Sequence, residues 1–312
     1  MSLRDIFAAL RCSRGQWDPA ATQQMRNERP DAKRGARYYV TPCGDDITDA
    51  DLSSAVTCAE WQDAPFGAII GRAAGRVLWH DFQTTPHLLI AGNTGSGKSV
   101  CLNSIISSLL CVHSPATMGL ILIDPKRVEL ASYAGLPHLL QPLAKSANDA
   151  ENALSFARDL MFSRYERMEQ KRVKNADALQ LRHILVIFDE YASLASKAEN
   201  AKRLQPIIAD IARLGRAANV HLILATQYPT ARVIDTQIRS NIDGRIAFRL
   251  KNKVESKVVL DMSGAETLRG RGDGLHQTSD GMTHFKGLFV SDQQIDSLVD
   301  YWKQEERIKR YG

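Results

Sequence analysis

The sequence is short of cysteine, of long apolar runs and, over one segment, of positive charge. Its five cysteines, Cys12, Cys43, Cys58, Cys101 and Cys111, are odd in number and scattered, with no C-x-x-C pair. That excludes a disulfide framework and a cysteine-based zinc site, and it suits a reducing compartment. No apolar run approaches the ~18–20 residues that cross a bilayer. The opening Met1-Ser2-Leu3-Arg4-Asp5-Ile6-Phe7 lacks the apolar core of a signal peptide. A cytoplasmic chain with no integral membrane segment is therefore expected. No lysine or arginine occurs from Tyr38 to Phe66, where Asp45, Asp46, Asp49, Asp51, Glu60 and Asp63 gather. The stretch before it is dominated by Arg4, Arg11, Arg14, Arg26, Arg29, Lys33, Arg34 and Arg37. Such segregation marks residues 1–66 as an N-terminal arm or small accessory domain, either simply solvated or docking a protein partner.

The rest is ordinary in bulk. The 312 residues are 44% apolar and 24% charged, with a net charge of +5. That is enough chain for one large α/β domain plus a small appendage. The charge permits a nucleic-acid partner without requiring one. From Gly67 onward short apolar runs alternate with helical stretches. The runs are His87–Ala91, Gly119–Ile123, Ile184–Phe188, His221–Ala225 and Arg245–Leu250. They lack polar alternation, as strands buried on both faces of a parallel sheet do. Helices are expected over Ser99–Cys111, Asp149–Glu169, Ala201–Ala217 and, closing the chain, Gln293–Arg307. The fold class that follows is α/β: a mostly parallel, doubly wound sheet flanked by helices over residues 67–312.

Gly92-Asn93-Thr94-Gly95-Ser96-Gly97-Lys98-Ser99 fits the phosphate-loop pattern G-x-x-x-x-G-K-S/T between an apolar strand and a helix. Glycines let the backbone turn its N–H groups around phosphates, and the helix N-terminus adds unpaired donors and a favourable dipole. Lys98 is expected on the β- and γ-phosphates of ATP, and the Ser99 hydroxyl on Mg²⁺. Ile184–Phe188 then ends in Asp189-Glu190. Asp189 would hold Mg²⁺ and Glu190 would act as base on the attacking water. Leu222-Ile223-Leu224-Ala225 ends in Thr226-Gln227. If that strand lies between the other two, Gln227 falls between Lys98 and Glu190 and can contact the γ-phosphate or the water. Otherwise it caps a turn.

These residues sit within a longer series that resembles the FtsK/SpoIIIE double-stranded DNA translocases. The series comprises Pro86 through Ser99, Ile123-Asp124-Pro125-Lys126 with Glu129-Leu130, and Gly135-Leu136-Pro137-His138-Leu139-Leu140. It continues with Arg164-Tyr165, Asp189-Glu190, Arg216-Ala217-Ala218 with His221, and Ala225-Thr226-Gln227. Asn241-Ile242, Arg245-Ile246-Ala247-Phe248, Leu260-Asp261 and Gly264-Ala265-Glu266 complete it. The resemblance implies a RecA-like P-loop ATPase that assembles as a homo-hexameric ring on duplex DNA, with ATP between subunits. It implies Arg216, with Arg213 in reserve, as the arginine reaching a neighbour's γ-phosphate. It also implies two pore loops on DNA, offering Lys197, Lys202 and Arg203, then Arg232 and Arg239. No membrane helices and no C-terminal winged-helix reader are seen before Gly312. That suggests a short motor moving DNA for transfer (as in conjugation), packaging or segregation, in the manner of a mobile element. Tyr228 and Lys257 stand where the family often has arginine. Type VII secretion ATPases, which move polypeptide, are the second implied class. They often show Asp-x-Lys-Gly-Gly after the second strand, where this chain has Asp124-Pro125-Lys126-Arg127.

Overall fold

The computed structural model describes residues 52–56 and 58–311. The chain enters through two short helical turns, α1 (Leu52–Ala55) and α2 (Ala59–Gln62), then the hairpin β1 (Gly67–Ala73) and β2 (Arg76–Asp81). Next come β3 (His87–Ala91), α3 (Lys98–Val112), β4 (Met118–Ile123), α4 (Ala147–Lys171), β5 (His183–Phe188), α5 (Tyr191–Ala195) and α6 (Ala198–Leu214). The last part holds β6 (Val220–Thr226), α7 (Thr236–Asn241), β7 (Gly244–Phe248), α8 (Lys253–Leu260), β8 (Asp273–Thr278), β9 (Gly281–Gly287) and α9 (Asp292–Tyr311). Among the described residues the strands form one sheet in the order β2-β1-β9-β8-β7-β3-β6-β5-β4. The five strands β7, β3, β6, β5 and β4 are parallel, and the other four join them antiparallel.

Side chains that alternate along the parallel strands fill two separate cores. Leu88, Ile90, Leu120, Leu122, Leu185, Ile187, Ile223 and Ala225 face the cluster that contains α3 and α9. Leu89, Ala91, Ile121, Ile123, Val186, Phe188, Leu222 and Leu224 face the cluster that contains α4 and α6. This two-sided burial is why the strands read as unbroken apolar runs. Trp302 fixes the closing helix by donating its indole N–H to the Leu110 carbonyl at 3.0 Å. The segment before Gly67 joins the first core through Leu52, Ala55, Val56, Trp61 and Phe66, all buried. Trp61 donates to the Gly67 carbonyl at 2.9 Å. Residues 1–51, the greater part of the expected N-terminal arm, lie outside the described residues.

Three expectations shift in detail. β7 ends at Phe248 rather than Leu250. The helix expected over Ala201–Ala217 stops at Leu214 and gives way to a 3₁₀ turn at Gly215–Ala218. Gly215 is required there, because a Cβ would sit 2.2 Å from the Val220 carbonyl oxygen. The antiparallel strands β1, β2, β8 and β9 were not expected. Their burial is partial and their sequences mix glycine, histidine and threonine, which masks the apolar signal.

Buried imidazoles cluster near the amino-terminal ends of β3, β5 and β6. Backbone carbonyls set their tautomers. His80 donates from Nε2 to the Thr85 carbonyl (2.9 Å), so its Nδ1 accepts from His276 Nε2 (3.1 Å). His221 donates from Nδ1 to the Pro86 carbonyl (3.1 Å), so its Nε2 accepts from His183 Nδ1 (3.0 Å). His87 Nδ1 accepts the Leu222 amide at 3.1 Å. His80, His87 and His221 must therefore stay neutral. Burial lowers His87 from 6.5 to about 3 and His276 to about 4, and it holds His80 and His221 well below the usual value. The unfolded chain thus binds more protons than the folded one below about pH 6.5. Stability is intact above that pH and is lost as pH falls from there toward the folded values, at up to ~1.4 kcal/mol per pH unit for each ring. The urea midpoint is expected to drop steeply from pH 7 to pH 5. A midpoint that stays level across that interval would contradict this reading.

Candidate nucleotide site

Because β3, β6 and β5 are adjacent and parallel, their carboxyl ends deliver three segments to one edge. From β3 comes the loop Gly92–Ser99. Gly95 (φ 72°) and Gly97 (φ 121°) take left-handed backbone conformations that side chains disfavour. A Cβ on Gly97 would meet the Gly272 backbone at 2.7 Å, and one on Gly92 would meet Ser96 Oγ at 2.4 Å. The β8 approach buttresses the loop from outside, with the Gly272 amide donating to the Ser96 carbonyl at 2.7 Å. Helix α3 begins at once, with no side-chain cap and no acid in its first turn. Its first amides are therefore available to an anion. The buried Ser96 hydroxyl has no partner.

β5 ends in Asp189 and Glu190, both buried. Lys98, also buried, donates from Nζ to Asp189 Oδ1 (2.6 Å) and to the Asp189 carbonyl (2.8 Å). Burial raises the Asp189 carboxyl above its ordinary range and outweighs the opposing pull of the Lys98 ammonium. β6 lies between β3 and β5, as the conditional sequence reading required. Its Gln227 backbone N–H donates to Glu190 Oε1 at 3.0 Å, and its Oε1 accepts from Thr94 Oγ1 at 3.1 Å. Thr226 Oγ1 also donates to Glu190 Oε1, at 3.0 Å. Lys98, Asp189, Glu190 and Gln227 thus converge from segments far apart in sequence. One contributor was missed: Lys126, whose Nζ donates to Glu190 Oε2 at 3.1 Å. It follows Asp124-Pro125 at the end of β4, beside β5. A cation just past a strand that ends in an acid is the signal that could have found it.

Of the remaining candidates, Arg216 and Arg213 precede β6 and lie away from this edge, while the others follow β5 or β6. Arg216 is exposed on the 3₁₀ turn before β6, ~20 Å from its own nucleotide edge by strand rise. Its turn is tied to α4 on both sides. Tyr165 Oη donates to the Leu214 carbonyl (2.8 Å), and buried Arg164 donates to the Ala218 carbonyl (2.5 Å). Arg213 is exposed and pairs with Asp210 at 3.2 Å. Among the cations expected on pore loops, Lys197, Lys202 and Arg232 are exposed, but Lys202 and Arg203 lie within helix α6 rather than on a loop. Arg203 instead binds Glu151 and, at 2.9 Å, Asn148, both on α4. Arg239 is half-buried in α7. Tyr228 is 63% exposed.

The arrangement fits a magnesium nucleotide. Gly92 and Gly97 leave no room for a Cβ, the first amides of α3 are free of a side-chain cap, and a lysine and a raised-pKa acid stand within hydrogen-bond distance. No group of three or more His, Cys, Asp or Glu able to hold a metal by itself occurs among the described residues. Nor is any described helix long and apolar enough to cross a membrane.

The model of the FtsK/SpoIIIE family matches residues 51–180. The DNA translocase FtsK of Caldanaerobacter subterraneus subsp. tengcongensis is 39% identical over 298 residues, covering 91% of this chain and 41% of the relative. That of Haemophilus influenzae is 37% identical over 265 residues, covering 74% of this chain and 50% of the relative. The chain therefore spans half or less of the length of these relatives. Among solved structures, the pCW3 conjugation coupling protein TcpA, determined with ATPγS, superposes with a TM-score of 0.67. It is 24% identical, with 78% of this chain and 73% of that one covered. The cytoplasmic domain of the Thermomonospora curvata type VII secretion ATPase EccC gives 0.68 at 22% identity, covering 82% of this chain and 34% of that one. Those two likenesses establish the P-loop ATPase fold alone. The family model and the FtsK relatives show that this chain belongs to the FtsK/SpoIIIE family.

Proposed function

We propose that the chain is an ATP-driven motor that moves double-stranded DNA, working as a homo-hexameric ring with ATP at subunit boundaries. The observation that carries the ATPase part is the delivery of Lys98, Gln227 and Asp189-Glu190 to one edge by adjacent strands. In this reading Lys98 exchanges Asp189 for the β- and γ-phosphate oxygens, while the amides of the Gly92–Ser99 loop wrap the phosphate chain. Ser99 and Asp189 would hold Mg²⁺. A magnesium ion held by these two residues would supply positive charge against the charge that develops on the phosphates. Glu190 takes the proton from the attacking water, and Gln227, between the two halves of the site, senses the γ-phosphate. Arg216, too far from its own site, serves a neighbour's.

The DNA part is supported by the FtsK relatives at 39% and 37% identity. Exposed Lys197, Lys202 and Arg232 are the cations proposed to follow the phosphate backbone without reading sequence. Arg203, paired with Glu151, and half-buried Arg239 are the less exposed members of the proposed set. Transfer, packaging or segregation of DNA are the processes such a motor would serve. Steady-state ATP turnover with and without linear duplex DNA tests the proposal. Severalfold stimulation that fades with added salt is expected. Equal rates with and without DNA at low salt would instead favour a polypeptide substrate, as for secretion ATPases of this fold.

A further inference from the structure

We propose that Lys126 is a positioning residue that holds Glu190 unable to activate water, so that withdrawal of Lys126 governs the onset of hydrolysis. The proposal rests on the ATPase reading above. Glu190 is buried, and both carboxylate oxygens are engaged. Oε1 accepts from Thr226 Oγ1 and the Gln227 amide, each at 3.0 Å. Oε2 accepts from that same amide at 3.2 Å and from Lys126 Nζ at 3.1 Å. An ionised carboxylate offers about four lone-pair sites, and three donors, one of them shared between the two oxygens, cover them. A general base needs one such site directed at its water, ~2.6–3.2 Å away. Something must leave before Glu190 can work.

Only one of the donors is free to leave. Thr226 and the Gln227 amide stand at the end of β6, fixed by ladders to β3 and β5. Lys126 comes from a surface loop, and its side chain is 38% exposed, against 1% for Glu190. The loop itself is firmly built. The buried Asp124 carboxylate accepts the amides of Lys126 (3.0 Å), Arg127 (2.8 Å), Val128 (2.9 Å) and Leu130 (3.1 Å). That mount aims the Lys126 stem at Glu190 and leaves Arg127 and Val128 exposed beside it. A macromolecule touching this loop therefore acts directly on the ion pair. The two acids of the site also differ in kind. Asp189 is paired with buried Lys98, which phosphate binding would recruit, whereas Glu190 is paired with a partly exposed lysine outside the glycine loop.

The experiment compares the full chain with Lys126→Met and Lys126→Arg in steady-state ATP turnover, without and with linear duplex DNA. Thermal melts confirm that each variant is folded. Lys126→Met keeps the stem but lacks the charge and the donors. Its DNA-free kcat is expected to rise about fivefold, equivalent to ~1 kcal/mol. KM for ATP should be unchanged, and the stimulation by DNA should shrink by the same factor. Lys126→Arg, which keeps charge and donors, should stay restrained like the wild type. An unchanged or lowered kcat in Lys126→Met overturns the proposal while leaving the ATPase reading intact. Release in both variants also overturns it, because the effect would then belong to the loop and not to the ion pair. Absence of turnover in both wild type and Lys126→Met overturns the ATPase reading and this inference together.

Discussion

Glu190→Gln is expected to lower kcat for ATP about 10³-fold while leaving ATP binding close to wild type, within the range general bases contribute. The substitution is nearly isosteric. Its carbonyl oxygen can still accept from Thr226 Oγ1 and the Gln227 amide, each 3.0 Å from the native Oε1. The buried packing therefore survives, and what disappears is the capacity to take a proton. Its amide would face the Lys126 ammonium, so the ion pair at 3.1 Å is lost with the base. Titration with a fluorescent ATP analogue, followed by turnover on the same preparation, separates the two effects. A variant that keeps more than about a tenth of wild-type turnover would remove Glu190 from the role of base.

Arg216→Ala is expected to cost a comparable or larger factor, ~10³ or more, the scale of an arginine supplied across a subunit boundary. The side chain is exposed, so little folding energy is at stake. It cannot reach its own nucleotide edge, because the whole of β6 intervenes. Yet its turn is clamped by Tyr165 and Arg164 to the long helix α4, a degree of fixation that a merely solvated arginine does not need. A trans role makes a sharper claim than loss of rate. Arg216→Ala mixed with Glu190→Gln should recover turnover. At some boundaries the first variant supplies Lys98 and Glu190 while the second supplies Arg216. Each variant alone stays inactive. A mixture no more active than its parts would contradict the shared site, and an active Arg216→Ala would pass the role to Arg213, which now pairs with Asp210.

Much of this was legible in the chain because parallel α/β sheets write their topology plainly. His87–Ala91 was read to the residue, and β4, β5 and β6 within a residue at either end, since strands buried on both faces leave unbroken apolar runs. The loop Gly92–Ser99 and the acids at the end of β5 carry their chemistry in local sequence. What stayed hidden depends on distant neighbours. β1, β2, β8 and β9 bury only part of each strand, so His276 and His284 or Thr283 break any apolar signal. Lys126 meets Glu190 only because β4 pairs with β5, which brings together residues 64 apart in the chain. Arg203 looked like a free loop cation and instead faces Glu151 on α4. Charge alone does not say which side of an amphipathic helix a guanidinium serves.

The central claim is that hydrolysis at this edge moves duplex DNA. Displacement of a third strand from linear duplex measures that directly, using the full chain with Mg²⁺ and ATP. The account predicts release of the third strand by the wild type, after a delay that grows with the length of duplex ahead of it, and none by Glu190→Gln. Brisk ATP consumption with the third strand left in place, or release that proceeds equally well with a non-hydrolysable analogue, would contradict it.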